Sequence, residues 1–206
     1  MYNIKSYLSY LKSTKILFIY YCILVVVLAI ASVSSPDFNW DMLGYVAAAK
    51  HFEISDPQKL HQFVYENLKK FVSKDVYSDL TSGGVRKDWA ENANDFYSLL
   101  PFYEIRPLYN LSILLLSKIG VNIFAATYLV STFSVILGIF ILLFALKEKV
   151  NWFLLYIFPF CLYLFCIVHI ARLSTPDAMA FYVYVYLFIY SVRRGLNFCW
   201  QLFQFL

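Results

Sequence analysis

The chain has 206 residues, 61% hydrophobic, 20% aromatic and only 15% charged, with a mean hydropathy of +0.64. That balance is too apolar for a soluble globular domain and predicts an all-α integral membrane protein. The net charge of +4 is uneven: residues 34–106 carry eight bases against eleven acids, the remainder nine against two. The basicity is therefore anchoring charge at a membrane surface, and nucleic-acid binding is not needed to explain it.

The first apolar run, residues 16–33, follows Lys5, Lys12 and Lys15, which predicts a cytoplasmic N-terminus and a first membrane span. A cleavable signal peptide is the competing reading. The run exceeds the apolar core of such peptides, and further apolar segments follow it. Cys22, Cys161, Cys166 and Cys199 lie in or beside apolar runs without paired or ligand-like spacing, which argues against a disulfide framework or a zinc site.

A polar stretch, residues 34–105, comes next. Asn39-Trp40-Asp41 reads as a helix start, with Asn39 as the cap and Asp41 in the first turn, where the helix dipole favours a carboxylate. Residues 42–52 continue it for about three turns, with Gly44 a mild weakness. Ser55-Asp56-Pro57 starts a second helix, with Leu60, Phe63, Val64, Leu68, Phe71 and Val72 on one face. That amphipathic helix is expected in the headgroup layer, with packing on another domain as the alternative. Thr81-Ser82-Gly83-Gly84 reads as a turn, and residues 88–95, with Trp89 embedded, as a short helix or a substrate-facing loop.

Four apolar runs follow: 108–119, Ile123–Leu146, 152–170 and 178–192. The first is too short to span and is expected to lie at the outer surface. That choice also keeps Lys147, Lys149, Arg193 and Arg194 inside, as short loops require. The expectation is four transmembrane helices and a large outer loop with surface helices. The boundaries are 1–33 for the N-terminus and first span, 34–121 for the loop, 122–192 for three further spans and 193–206 for the tail. The loop, Arg106 and the connection 169–177 then lie on the non-cytoplasmic face.

In this arrangement PDFNWDMLGY sits just past the first span, and Tyr103-Glu104-Ile105-Arg106-Pro107-Leu108-Tyr109 leads from the loop into an apolar helix. Lys118-Ile119-Gly120 precedes a span, and Ser174-Thr175-Pro176-Asp177-Ala178 forms a later outer turn. The pattern resembles the membrane glycosyltransferases of the GT-C fold, among them protein O-mannosyltransferases and aminoarabinose transferases acting on lipid A. It covers nearly the whole chain but only the front part of the family's pattern. The resemblance implies transfer of a sugar from a polyprenyl-phosphate donor to an envelope glycan, lipid or protein acceptor, at the outer face of a bacterial inner membrane. A non-catalytic remnant, or a subunit whose partner supplies missing spans, is the alternative.

Such a reaction needs a carboxylate to take the acceptor's proton and cations to stabilise the departing phosphate. Asp41 is the candidate base, with Asp37 as its alternate or a metal ligand; a purely helix-starting role is the competing reading for Asp41. Arg106 is the first candidate for the carrier phosphate, since a guanidinium matches phosphate oxygens in pairs; a snorkelling interfacial arginine competes. Glu104 could orient Arg106 or bind an acceptor hydroxyl. His169 and Arg172, three apart, could share one helical face toward a phosphate, against an interfacial polar belt. Capping explains Asp177, with a ligand role as the alternative. Asp37, Asp41, Glu104 and Asp177 are hard oxygen donors, but no spacing specifies a divalent-cation site. There is no phosphate-cradling glycine loop, zinc-protease motif or nucleophile elbow. No ionisable residue falls in mid-span, which disfavours a transporter or channel.

Overall fold

The computed structural model describes residues 14–147, 151–164 and 167–194. Lys5, Lys12, Lys149, Cys166, Cys199 and the tail from residue 195 lie outside them. The described residues are all-helical apart from one isolated bridge pairing Asp37 with Leu173. In chain order the helices are α1 (Thr14–Ser34), α2 (Asp41–His51), α3 (Pro57–Phe71), α4 (Lys74–Thr81), α5 (Val85–Glu91) and α6 (Ala93–Tyr97). They continue with α7 (Leu100–Glu104), α8 (Pro107–Lys118), α9 (Ile123–Leu146), α10 (Trp152–Leu164), α11 (Ile167–Arg172) and α12 (Asp177–Arg194). Contacts divide the chain into two compact units. One comprises Met1–Ser34, Thr132–Ala171 and Ala178–Leu206; the other comprises Ser35–Ser131 and Arg172–Asp177.

Helix α1, in the first unit, and α9, whose first part to Ser131 belongs to the second, are long and apolar enough to cross a membrane, with mean hydropathies of 2.9 and 2.7; α10 is a shorter apolar helix. Leu17, Tyr21, Val135, Ile139, Leu143 and Leu155 are buried in the core of the first unit. A phenol buried among such side chains needs an acceptor. Tyr21 donates to the Leu155 carbonyl at 2.9 Å and Tyr20 to that of Tyr156 at 3.1 Å. The opposite face of α1 is no more polar: Ile19, Ile23, Val26, Val27 and Ile30 are exposed. Within the segment expected as one span over 152–170, the described residues are helical, as α10 and α11.

The second unit is built around α2. Eight consecutive residues, Met42 to Ala49, are buried, because α3, α7 and α8 pack around this helix. It is a central helix, and its three alanines let neighbours approach closely. Asn39 makes the expected capping bond, its Oδ1 accepting from the Met42 N–H at 3.2 Å. In α3, Asp56 accepts from the Lys59 N–H at 2.9 Å ahead of Pro57 at the first helical position. Its apolar face, expected in the headgroup layer, is covered by protein instead. Leu60, Val64 and Leu68 are fully buried, and α3 packs on α2 and α6. Phe71 stacks on Phe124 with ring centroids 5.6 Å apart.

Helix α8 has two faces of different fate. Tyr109, Asn110, Ile113 and Leu114 are buried, and Tyr109 donates to the Thr127 carbonyl of α9 at 3.1 Å. Gly120, with φ of 97°, ends the helix in the left-handed region. Its N–H bonds the Ser117 carbonyl and the Val121 N–H bonds that of Leu116, the paired pattern of a Schellman stop. Asn122 then caps α9 through Phe124 N–H at 2.9 Å. Four residues, Ile119 to Asn122, thus make the turn between α8 and α9.

Candidate functional site

A cleft of about 550 Å³ opens in the second unit, within the size range of small-molecule sites. Asp41 and Tyr45 from α2, Trp89 from α5, Phe102 and Tyr103 from α7, and Arg106 at the start of α8 line it. Trp40, Leu99, Ile105, Thr175, Pro176 and Asp177 complete the wall.

Asp41 is fixed by a donor distant in sequence. The Tyr103 phenol donates to its Oδ1 at 2.9 Å. Tyr103 reaches it because Gly44, one turn along α2, has no side chain: a Cβ there would stand 2.3 Å from the Tyr103 ring. Tyr45 packs edge-on against Tyr103 and Tyr109, with centroids 4.9 and 5.1 Å away. Burial, with the Asp41 charge beside it, holds the Tyr103 phenol well above its ordinary range. Burial pushes Tyr45 up to about 12, with Arg106 opposing and the carboxylates of Asp41 and Asp177 adding to the rise. Both phenols are thus neutral donors at physiological pH. One oxygen of Asp41 accepts from Tyr103, which orients the carboxylate.

Arg106 donates weakly to the Phe102 carbonyl, at 3.4 Å. Asp177 accepts from the Thr175 hydroxyl. The segment that carries Asp177 is fastened within the same unit by the Ser131 hydroxyl, which donates to the Thr175 carbonyl at 2.8 Å. Trp40 and Trp89 face each other with centroids 5.2 Å apart, and a histidine nitrogen of His61 lies 2.9 Å from the Trp89 carbonyl. Two carboxylates, one guanidinium and a pair of indoles therefore border one cavity. Such a set can orient a hydroxyl, attract an anion and cover the apolar face of a ring.

Of the residues singled out in the sequence, Asp41, Arg106 and Asp177 line the cleft, whereas Asp37, Glu104, His169 and Arg172 do not. Asp37 holds the returning segment by its backbone: its N–H bonds the Arg172 carbonyl at 3.1 Å, and its carbonyl accepts from the Ser174 hydroxyl at 3.3 Å. The Arg172 guanidinium donates to the Ser35 carbonyl, and His169 belongs to the other unit. Glu104 does not orient Arg106. It pairs with His51 Nδ1 at 2.6 Å, while the Tyr97 hydroxyl lies 2.9 Å from His51 Nε2. Among the described residues no group of three or more His, Cys, Asp or Glu side chains is arranged to hold a metal ion.

Trp89, read in the sequence within a short helix or a substrate-facing loop, lies on α5 in the cleft wall, whereas nothing in the sequence pointed to the bond from Tyr103 to Asp41. For Tyr103 the signal was its place next to Glu104, in the segment leading into the apolar helix. Compared with family models, curated proteins and solved structures, the chain matches none.

Proposed function

We propose that this chain is a GT-C-type membrane glycosyltransferase, moving a sugar from a polyprenyl-phosphate donor to an envelope glycan, lipid or protein acceptor at the non-cytoplasmic face. The observation that carries the reading is the shared cleft of Asp41 and Arg106. Asp41 takes the proton of the acceptor hydroxyl as its oxygen attacks the anomeric carbon. The bond from that carbon to the carrier phosphate breaks with inversion, and Arg106 stabilises the phosphate as it leaves. Trp40 and Trp89 offer aromatic faces to the sugar ring.

The membrane part of the reading has four spans: α1, α9, the α10–α11 segment and α12, with the N-terminus in the cytoplasm. The apolar outer face of α1 favours it, since water would select polar residues there.

Transfer from labelled polyprenyl-phosphate sugars tests the proposal. Asp41→Asn is expected to lower turnover by roughly 10²–10⁴-fold, the range of general-base catalysis, with membrane insertion unchanged. Arg106→Ala is expected to raise KM for the carrier. Full activity in Asp41→Asn removes Asp41 as the base.

A further inference from the structure

Asn110 stands in the first turns of α8 and is only 1% exposed. Asparagine is a poor choice there on two counts: it favours caps and turns over helix interiors, and its amide must be desolvated. One half of that amide is used. Its Nδ2 donates to the Tyr103 carbonyl at 2.9 Å, across the corner where α7 ends and Pro107 opens α8. The other half is not, for Oδ1 is buried without a hydrogen-bond partner among the described residues. An apolar side chain would fill the place without the unpaired oxygen, so packing does not account for the amide. What the amide supplies is a donor to one carbonyl.

We propose that Asn110 is a positioning residue of the cleft, whose amide fixes Tyr103 against α8 and so sets where the Tyr103 hydroxyl meets Asp41. The corner needs such a tie. Arg106 has non-helical backbone angles, φ −116° and ψ 62°, and its N–H reaches the Tyr103 carbonyl only at 3.4 Å. Asn110, by contrast, belongs to an anchored stretch. Its own N–H bonds the Arg106 carbonyl at 3.2 Å. Its neighbour Tyr109 packs on Tyr45 of α2 and donates to the Thr127 carbonyl of α9. Position therefore passes from α2 and α9 through α8 to Tyr103, and from the Tyr103 hydroxyl to Asp41 at 2.9 Å. Asn110 holds both cleft residues of the corner, Tyr103 by its side chain and Arg106 by its backbone. It does not itself line the cleft, so its side chain acts through Tyr103.

The inference rests on the reading that Asp41 is the base in sugar transfer, and the experiment separates the two. Asn110→Leu and the smaller Asn110→Ala are made in the full chain, each alone and combined with Tyr103→Phe, in phosphatidylcholine–phosphatidylglycerol vesicles. In a parallel set Tyr103 is replaced by 3-fluorotyrosine, whose fluorine resonance reports on the phenol whether or not any sugar is transferred. Asp41→Asn supplies the reference shift for the altered bond. Both Asn110 variants are expected to fold and to move the resonance toward that reference. They are expected to lower kcat roughly tenfold, with KM for the carrier changed less than about twofold because the backbone bond to Arg106 persists. In Tyr103→Phe the same substitutions are expected to lower kcat less than about twofold, since the hydroxyl they place is already gone. Equal losses in the two backgrounds, an unmoved resonance or an unchanged kcat would overturn the positioning role. Failure of both variants to fold would make the amide a requirement of the fold and would overturn it too. A wild-type chain that transfers no sugar from any polyprenyl phosphate would remove the transfer reading, and the resonance alone would then decide the role of Asn110.

Discussion

Gly44 sets two physical effects against each other. It lies in the interior of α2, where glycine is worse than alanine by about 0.8–1.0 kcal/mol, so propensity alone makes Gly44→Ala stabilising. The Tyr103 ring occupies the place of the missing methyl, and overpacking of that kind costs about 1–3 kcal/mol. The second effect is the larger, so Gly44→Ala is expected to lower stability in a denaturant melt and to lower transfer by displacing the Tyr103 hydroxyl from Asp41. Tyr103→Phe keeps the ring and removes only the donor. A hydrogen bond to a charged group is worth about 1.5–3 kcal/mol, so transfer is expected to fall by roughly ten- to a hundredfold while the fold persists. Unchanged transfer in both variants would separate Tyr103 from the function of Asp41. The buried phenols also give a pH signature. Tyr45 is raised from its ordinary 10.0 to about 12, so the folded state binds its proton more tightly than the unfolded chain does. Its contribution is fully present below pH 10 and is lost as pH rises toward 12. Stability is expected to fall across that window, with a matching delay in the tyrosinate absorbance of the folded protein; an early rise near pH 10 from every tyrosine would contradict the burial of Tyr45.

At the scale of elements, local signals in the sequence carried most of what the structure shows. The Asn39 and Asp56 caps, Pro57 at the start of α3 and the spacing of Leu60, Val64 and Leu68 depend on neighbours within a turn, and such patterns are readable from one chain. What covers an apolar face is not local. The stripe of α3 and that of Leu108, Leu111 and Leu115 on α8 look alike in sequence, yet the first is closed by α2 and α6 and the second is left exposed. For the same reason α2 reads in sequence only as a helix of about three turns, whereas its burial depends on α3 and on α7 and α8, which return from far along the chain. The cleft shows the same division. Asp41, Arg106 and Asp177 were legible by residue type and by place next to apolar runs, while the Tyr103–Asp41 bond joins residues 62 positions apart. Glu104, adjacent to Arg106 in sequence, pairs with His51, 53 positions away, a partner that local pattern does not reveal. The turn after α8 offers a test at this scale. Gly120→Ala meets no atom within 4 Å, so its cost is conformational, about 1–2 kcal/mol for a left-handed alanine. A melt showing that loss, with Gly120→Asn milder because asparagine tolerates this conformation, would establish the stop as strained for other residues. Equal stability of all three proteins would argue that the turn relaxes.

For the molecule as a whole, the deciding property is which apolar surface meets which solvent. The first unit has apolar residues in its core and on the outward face of α1, a pattern that the proposed membrane environment would account for. The second unit has a buried core around α2 and a cleft bordered by charge. The polar loop is acidic and the remaining residues are basic, as expected of a chain whose short connections are held on the side that retains cations. The charge pattern and the 12-residue length of α8 therefore favour the same topology: α8 does not cross, and Lys147 after α9 faces the cytoplasm. With native cysteines replaced, Ser82→Cys and Ser174→Cys are expected to react with a membrane-impermeant maleimide added to intact cells. Lys147→Cys is expected to react only after permeabilisation. Labelling of Lys147→Cys from outside would reverse the connection after α9, either by adding α8 as a span, which would put Asp177 on the opposite side from Asp41, or by removing α1, which would put Asp41 and Arg106 on the cytoplasmic side; either would overturn the proposed outer-face cleft.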